Sequence, residues 1–192
     1  MSEYCTNKNG NEERHLVIVG GGSAAFAAAI RASELGGRAT IINDGLPTGG
    51  TCVNVGCVPS KTLIRAGEVL HRANHHQFAG IHASAKVADF RAVIEQKREL
   101  VNQLRQAKYL DVIGDVPSIR LVLGRARFVS ENTVSVNGEQ IHGDYFLVAT
   151  GASPFAPTIP GLEEAGYLTS ETAFELEELP DSLIVLGGRY IA

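Results

Sequence analysis

Three things are scarce in this chain: net positive charge, long apolar runs, and sulfur. Seventeen Lys and Arg stand against 21 Asp and Glu, for a net charge of −4, with no basic run. That excludes the electrostatic footprint of a nucleic-acid binder. The longest apolar stretches, such as "AAFAAAI" (residues 24–30), fall far short of the ~20 residues that span a bilayer. The first 13 residues, "MSEYCTNKNGNEE", are polar, so no signal-peptide core is visible, and the expected location is the cytoplasm. There are only three cysteines, yet two of them, Cys52 and Cys57, sit in one short segment, "GGTCVNVGCVPSK". Structural disulfides do not normally persist in a reducing compartment, so such a pair points to catalysis or metal binding. The third, Cys5, reads as an incidental thiol in the polar tail.

What remains is ordinary for a globular protein: 192 residues, 44% hydrophobic and 20% charged. The length suits one full domain and part of a second.

"HLVIVGGGSAAFAAAIRASELGGRATIIND" reads as strand, tight turn, helix, turn, strand. "LVIV" and "ATII" are short continuous apolar runs, as in strands buried on both faces. Between them, residues 24–35 are strong helix formers, ended by Gly36-Gly37. A helix is expected from Lys61 to about Asn74. A long amphipathic helix follows Asp89, its predicted N-cap, with Phe90, Val93, Ile94, Leu100, Val101 and Leu104 on one stripe. Beyond Ser118 the pattern turns to short strands, "IRLVLG", "ARFVS" and "TVSV", with a hairpin signal at Asn137-Gly138. "DYFLVATG" is predicted as another buried strand. "PFAPTIPG" reads as a linker, because its prolines rule out helix and central strand. A short acidic helix over residues 170–179 and a buried strand in "SLIVLGG" complete the chain, which stops where a further helix is expected.

Gly20, Gly22 and Ala25 fit G-x-G-x-x-G/A in a βαβ context. The first glycine permits the tight turn. The second lets backbone approach a pyrophosphate at the helix start, beside Ser23 and Ala24. The small third residue lets helix and strand pack closely. The alternative is a glycine turn without a ligand. At the end of the second strand an acid is expected for the ribose hydroxyls. Asn43 stands there, followed by Asp44. Either bonds the ribose, or both simply make a turn with Gly45.

On a regular α-helix, residues five apart lie about 8.6 Å apart and point about 140° away from each other. A disulfide needs Cα atoms within ~7 Å. Cys52 and Cys57 therefore bridge only if the helix is interrupted. Gly56 and Pro59 supply the interruption and place the start of the next helix near Cys57. A thiol at a helix start, with Lys61 one turn on, forms thiolate readily, as redox catalysis requires. Two buried, inert thiols are the alternative. Zinc is less favoured, because His71, His75 and His76 read as a solvated helix end.

"GGTCVNVGCVPSK", with "VIVGGGSAA" upstream and "LVATGASPFAPTIPGL" downstream, resembles the flavin-dependent pyridine nucleotide–disulfide oxidoreductases. Within that family, "CVNVGCVPSKTLIRA", "LRQAKYLDVIG" and "GRARF" resemble the first domain of the mercuric reductases. The resemblance implies an α/β fold. It has a Rossmann-like βαβ FAD-binding domain with an added antiparallel β-meander, and then the truncated start of a second nucleotide-binding domain. The expected boundaries are a flexible tail at 1–13, an FAD domain at 14–157, and a linker with the beginning of an NADPH domain at 158–192. It also implies site roles. Gly20, Gly22, Ser23, Ala24 and Ala25 hold the FAD pyrophosphate, and Asn43 and Asp44 lie at the ribose. Gly50 and Thr51 run along the flavin, Lys61 sits near its ring, and Ala149, Thr150 and Gly151 close the site. Cys57 is the flavin-proximal thiol and Cys52 the exchange thiol. Electrons pass from NADPH through FAD and the cysteine pair to Hg(II), which the two sulfurs bind transiently. A homodimer is implied for the whole protein, and the fragment alone is expected to be inactive. The other readings are a dihydrolipoamide dehydrogenase or glutathione reductase type, or a non-catalytic module binding FAD or a soft metal. Two departures stand out: Asn43 for an acid, and Arg189 where a second glycine turn has its second glycine.

Overall fold

The structure is a computed structural model and describes residues 13–189 and 191–192. Most of the polar tail, Cys5 included, lies outside them. The described chain forms two compact units. One joins the residues up to Asn54 to Leu104–Ala152; the other joins Val55–Gln103 to Ser153–Ala192.

The first unit begins with β1 (His15–Val19), α1 (Ser23–Glu34) and β2 (Arg38–Asn43). These elements follow from the expected strand–turn–helix–turn–strand. The short helix α2 (Gly50–Asn54) closes the first stretch of this unit. The second unit holds α3 (Cys57–Asn74) and most of α4 (Phe90–Arg105). Asp89 caps α4 as expected, accepting from the Ala92 amide at 3.2 Å. The helix then widens into a π turn at Gln106–Leu110 and ends in α5 (Asp111–Gly114). Next come β3 (Ile119–Leu123), β4 (Arg127–Ser130), β5 (Thr133–Val136), β6 (Glu139–His142) and β7 (Tyr145–Val148).

Strands β3, β2, β1 and β7 form a parallel sheet in that order, and β4, β5 and β6 form an antiparallel meander. The β5–β6 turn is made by Asn137 (φ 51°) and Gly138 (φ 82°), the mirror-image turn expected of Asn-Gly. Period-two alternation divides the core between the two faces of the parallel sheet. Ile18 and Ile41 pack with Phe26, Ala25 and Ala29 of α1 and with Ile113. Val17 and Ile42 pack with Val134, Val136 and Ile141 of the meander. Burial on both faces is why β1 and β2 read as unbroken apolar runs.

Three expectations change. β7 is an edge strand rather than a buried one: Tyr145 and Val148 are 57% and 65% exposed, and among the described strands only β1 pairs with it. The acidic helix shrinks to α7 (Ser170–Ala173), which follows the single turn α6 (Leu162–Ala165) and starts at a Thr169 capping box. "SLIVLGG" is neither strand nor buried. Leu183, Ile184, Val185 and Leu186 are exposed, and no described strand pairs with them.

Among the described residues of the second unit, Lys97 is a buried charge. Lys97 lies on the buried stripe of α4 with Ile94 and Val101, and its Nζ donates to Glu175. Arg98 bonds both Glu175 and Glu177, and Arg91 pairs with Glu177. Burial pushes the Glu175 carboxyl up, but hydrogen bonds from Lys97 and Arg98 outweigh it and hold the group below the usual carboxylate range.

Candidate functional site

The glycine turn leaves β1 at Gly20 (φ 124°), whose amide donates to the Ile42 carbonyl at 2.7 Å. A side chain at Gly20 would collide with the Ala149 carbonyl and the Thr150 amide. That close approach brings residues 149–150 against the turn, and Gly151 follows with φ 74°. Gly21, absent from the expected set, is equally constrained, because the Asn43 side chain occupies the space its own would need. Gly22 is the N-cap of α1 in an extended conformation, and no side chain caps the helix. No acidic residue lies in its first turn. Ala25 is fully buried, which permits the close packing of α1 on the sheet. Ser23 and Ala24 are exposed at the helix start.

Gly22 also pairs with Gly49 through an isolated parallel bridge, and the Gly49 amide donates to the Gly21 carbonyl at 2.8 Å. A Cβ on Gly50 (φ 69°) would lie 2.7 Å from the Gly22 Cα. The "GG" ahead of the first cysteine is therefore the part of the chain that fits against the dinucleotide turn. Asn54, which no sequence signal singled out, clamps this segment. Its Nδ2 donates to the Pro47 and Gly50 carbonyls at 2.7 and 2.9 Å, and its Oδ1 accepts from Arg105 Nη1 at 3.0 Å.

Asn43 donates through Nδ2 to the Leu46 carbonyl at 3.0 Å, so it does build a turn; Asp44 beside it is exposed. Both line an open depression of about 400 Å³, together with Thr48, Arg105, Leu123 and Gly124. That volume is in the range of small-ligand sites. An uncapped helix N-terminus with glycine at its cap attracts an anion, and the depression offers room beside the end of β2. The residues present fit a dinucleotide such as FAD.

The interruption expected between the cysteines is real. α2 ends at Asn54, Val55 and Gly56 are non-helical, and α3 opens at Cys57, with Gly56 at φ −124° and ψ −111°. Pro59 lies in the first turn of α3, where its missing N–H leaves no helical bond unmade. Cys52 on α2 and Cys57 on α3 are both exposed, which sets aside two buried thiols, and no disulfide joins them. Thr51 and Lys61 are exposed as well. Among the described residues no group of three or more His, Cys, Asp or Glu is placed to hold a metal. Nor is any helix long and apolar enough to cross a membrane.

The chain thus combines a glycine-rich βαβ turn with an exposed cysteine pair just downstream. The pyridine nucleotide-disulphide oxidoreductase family matches residues 14–192, and the chain belongs to that family. It is 49% identical to a mercuric reductase of Bacillus cereus over 99% of its length, and 47% identical to one of Staphylococcus aureus over its whole length. Among solved structures it is similar to the HOCl-induced flavoprotein disulfide reductase RclA of Escherichia coli. That likeness has a TM-score of 0.71 and 32% identity, covering 86% of this chain and 35% of the other. The chain spans 30% and 35% of the length of the two mercuric reductases.

Proposed function

We propose that this chain forms the FAD-binding, dithiol-bearing part of an NADPH-dependent enzyme that reduces Hg(II) to Hg(0). The observation that carries the reading is the pair of exposed thiols on successive helices, immediately after the glycines that fit against the dinucleotide turn. The likeness to mercuric reductases along the whole chain supports mercury as the acceptor.

FAD, when bound, supplies the two-electron carrier between nicotinamide and sulfur. The start of α1, with Gly20, Gly22, Ser23, Ala24 and Ala25, holds its pyrophosphate. Asn43 and Asp44, which line the depression, would hold its adenosine ribose, Asn43 while also bracing its turn. Gly50, Thr51 and Lys61 would be the residues that serve the flavin, and Ala149, Thr150 and Gly151 would close the site. Cys57 is the flavin-side thiol and Cys52 meets the substrate. As thiolates, having lost their protons, both are soft donors suited to a soft cation. The net reaction oxidises NADPH to NADP⁺ and a proton, and both electrons reduce Hg(II) to the metal. The whole protein is read as a cytoplasmic homodimer.

The likeness to a flavoprotein disulfide reductase favours a second reading, in which the acceptor is a disulfide. The whole protein, loaded with FAD, separates the two. Mercury-dependent NADPH oxidation with release of Hg(0) is expected. Cys52→Ser and Cys57→Ser should each lower it by more than about a hundredfold while flavin stays bound. Turnover of a disulfide with no response to Hg(II) would transfer the assignment to the second reading.

A further inference from the structure

The π turn at Gln106–Leu110 carries Tyr109. Its hydroxyl lies 2.9 Å from Ser23 Oγ, across 86 positions of sequence. Ser23 is the first residue of α1, at the uncapped helix start. The Tyr109 ring is held on two further sides. It meets the ring of Phe26, in the next turn of α1, edge-on, with centroids 5.1 Å apart and an interplanar angle of 88°. It also lies over Gly49, where a Cβ would fall 3.1 Å from two of its ring carbons. Gly49 (φ 104°) needs to be glycine for its backbone angle, and a Cβ there would meet Val53 Cγ1 at 2.6 Å before it met this ring.

We propose that Tyr109 is a positioning residue for the dinucleotide pyrophosphate, acting through the hydroxyl of Ser23. This rests on the flavin reading above. Two hydroxyls in contact must settle which one donates. If Ser23 donated to Tyr109, its oxygen lone pairs would face the helix start, where an anion would repel them. If Tyr109 donates to Ser23 Oγ, the serine hydrogen is left to donate to a phosphate oxygen. The anion selects the second arrangement, and each hydrogen bond in that chain polarises the next. Wide π turns recur at functional sites because they re-aim a side chain without ending the helix. Here the turn lies immediately after Arg105, which lines the depression and bonds Asn54.

The test uses the whole protein and FAD titration of its apo form. Tyr109→Phe keeps the ring on Phe26 and over Gly49 and deletes only the hydroxyl. Its FAD dissociation constant is expected to rise about five- to tenfold, with the thermal midpoint of the apoprotein unchanged. Ser23→Ala, at an exposed position, should give a similar rise. The double variant should be little worse than either single one, because both remove the same chain of hydrogen bonds. ADP, competing for the site, should weaken by the same factor, whereas adenosine, which lacks the phosphates, should not. Tyr109→Phe affinity within twofold of the parent, additive losses in the double variant, or an equal loss for adenosine would each overturn the proposal. A parent protein that takes up no flavin would overturn the flavin reading along with it, whereas a failure confined to the variants leaves that reading standing.

Discussion

Two segments of this chain spell nearly the same thing. "LVIV" at residues 16–19 runs into Gly20 and Gly21, and "LIVL" at 183–186 runs into Gly187 and Gly188. The first lies within a central strand of a parallel sheet, with Val17 and Ile18 fully buried. The second pairs with no described strand, and Ile184 is 87% exposed. An apolar run of this kind states what a segment needs, which is neighbours on both edges and cover on both faces. Whether it finds them depends on other parts of the chain. β1 has β2, β7, α1 and the meander to supply all four.

The contrast has a direct measure in stability. Ile41→Ala, in the core shared by the sheet and α1, is expected to cost about 2–5 kcal/mol in urea unfolding. In the 192-residue chain itself, Ile184→Ala should stay within about 0.5 kcal/mol, as an exposed substitution does. Equal losses at the two positions would show that residue 184 is covered in solution, and the contrast would fail.

The same division separates what was legible in the sequence from what was not. The β1–α1–β2 unit, the Asp89 cap, the Asn137-Gly138 turn and the break before Cys57 are all local. Each depends on residues a few positions apart, where glycine freedom, capping and period decide the outcome. The glycine turn and the cysteine pair were readable for that reason. Gly21 was missed because its constraint comes from Asn43, on the next strand. Asn54 was missed because an asparagine within a motif of cysteines gives no hint that it gathers the carbonyls of residues 47 and 50. Tyr109 was missed because its partner lies on a different element, and nothing in "LRQAKYLDVI" announces a π turn. The burial of β7 is not legible in its residues, because an edge strand and a central strand can carry the same four.

The second unit offers a smaller effect at the buried Lys97. The Lys97 side chain is only 1% exposed, and Glu175 is the carboxylate that faces it. Glu175→Gln keeps the shape and leaves the ammonium without its counter-charge. The expected loss is about 1–3 kcal/mol, below that of Ile41→Ala because Glu175 itself is half exposed. The pH profile should change too. The Glu175 carboxyl titrates below its ordinary value when folded. Its contribution is therefore complete above the ordinary carboxylate range and disappears as pH falls through the lowered value. The Gln variant should lack that part of the acid-side decline. An unchanged profile would mean that the Lys97–Glu175 contact contributes nothing to folding.

The smallest effect returns to β1, at the end opposite the glycine turn. His15 is buried, and its ring spans two neighbours: Nδ1 lies 2.6 Å from the His142 carbonyl and Nε2 lies 2.8 Å from Thr40 Oγ1. A carbonyl only accepts, so Nδ1 carries the proton and Nε2 accepts from the Thr40 hydroxyl. The neutral ring satisfies both contacts. Burial, with help from the Arg38 charge, pushes the His15 pKa down, against smaller upward pulls from the His142 carbonyl and Asp144. The sign follows from linkage. The unfolded chain takes up this proton at higher pH than the folded one, so stability is complete above the ordinary histidine value of about 6.5 and declines as pH falls below it. His15→Asn removes the titration, and its unfolding midpoint should fall less than the parent's between pH 7.5 and pH 5. If the two midpoints fall in parallel, His15 is not the group that makes this end of the sheet sensitive to acid.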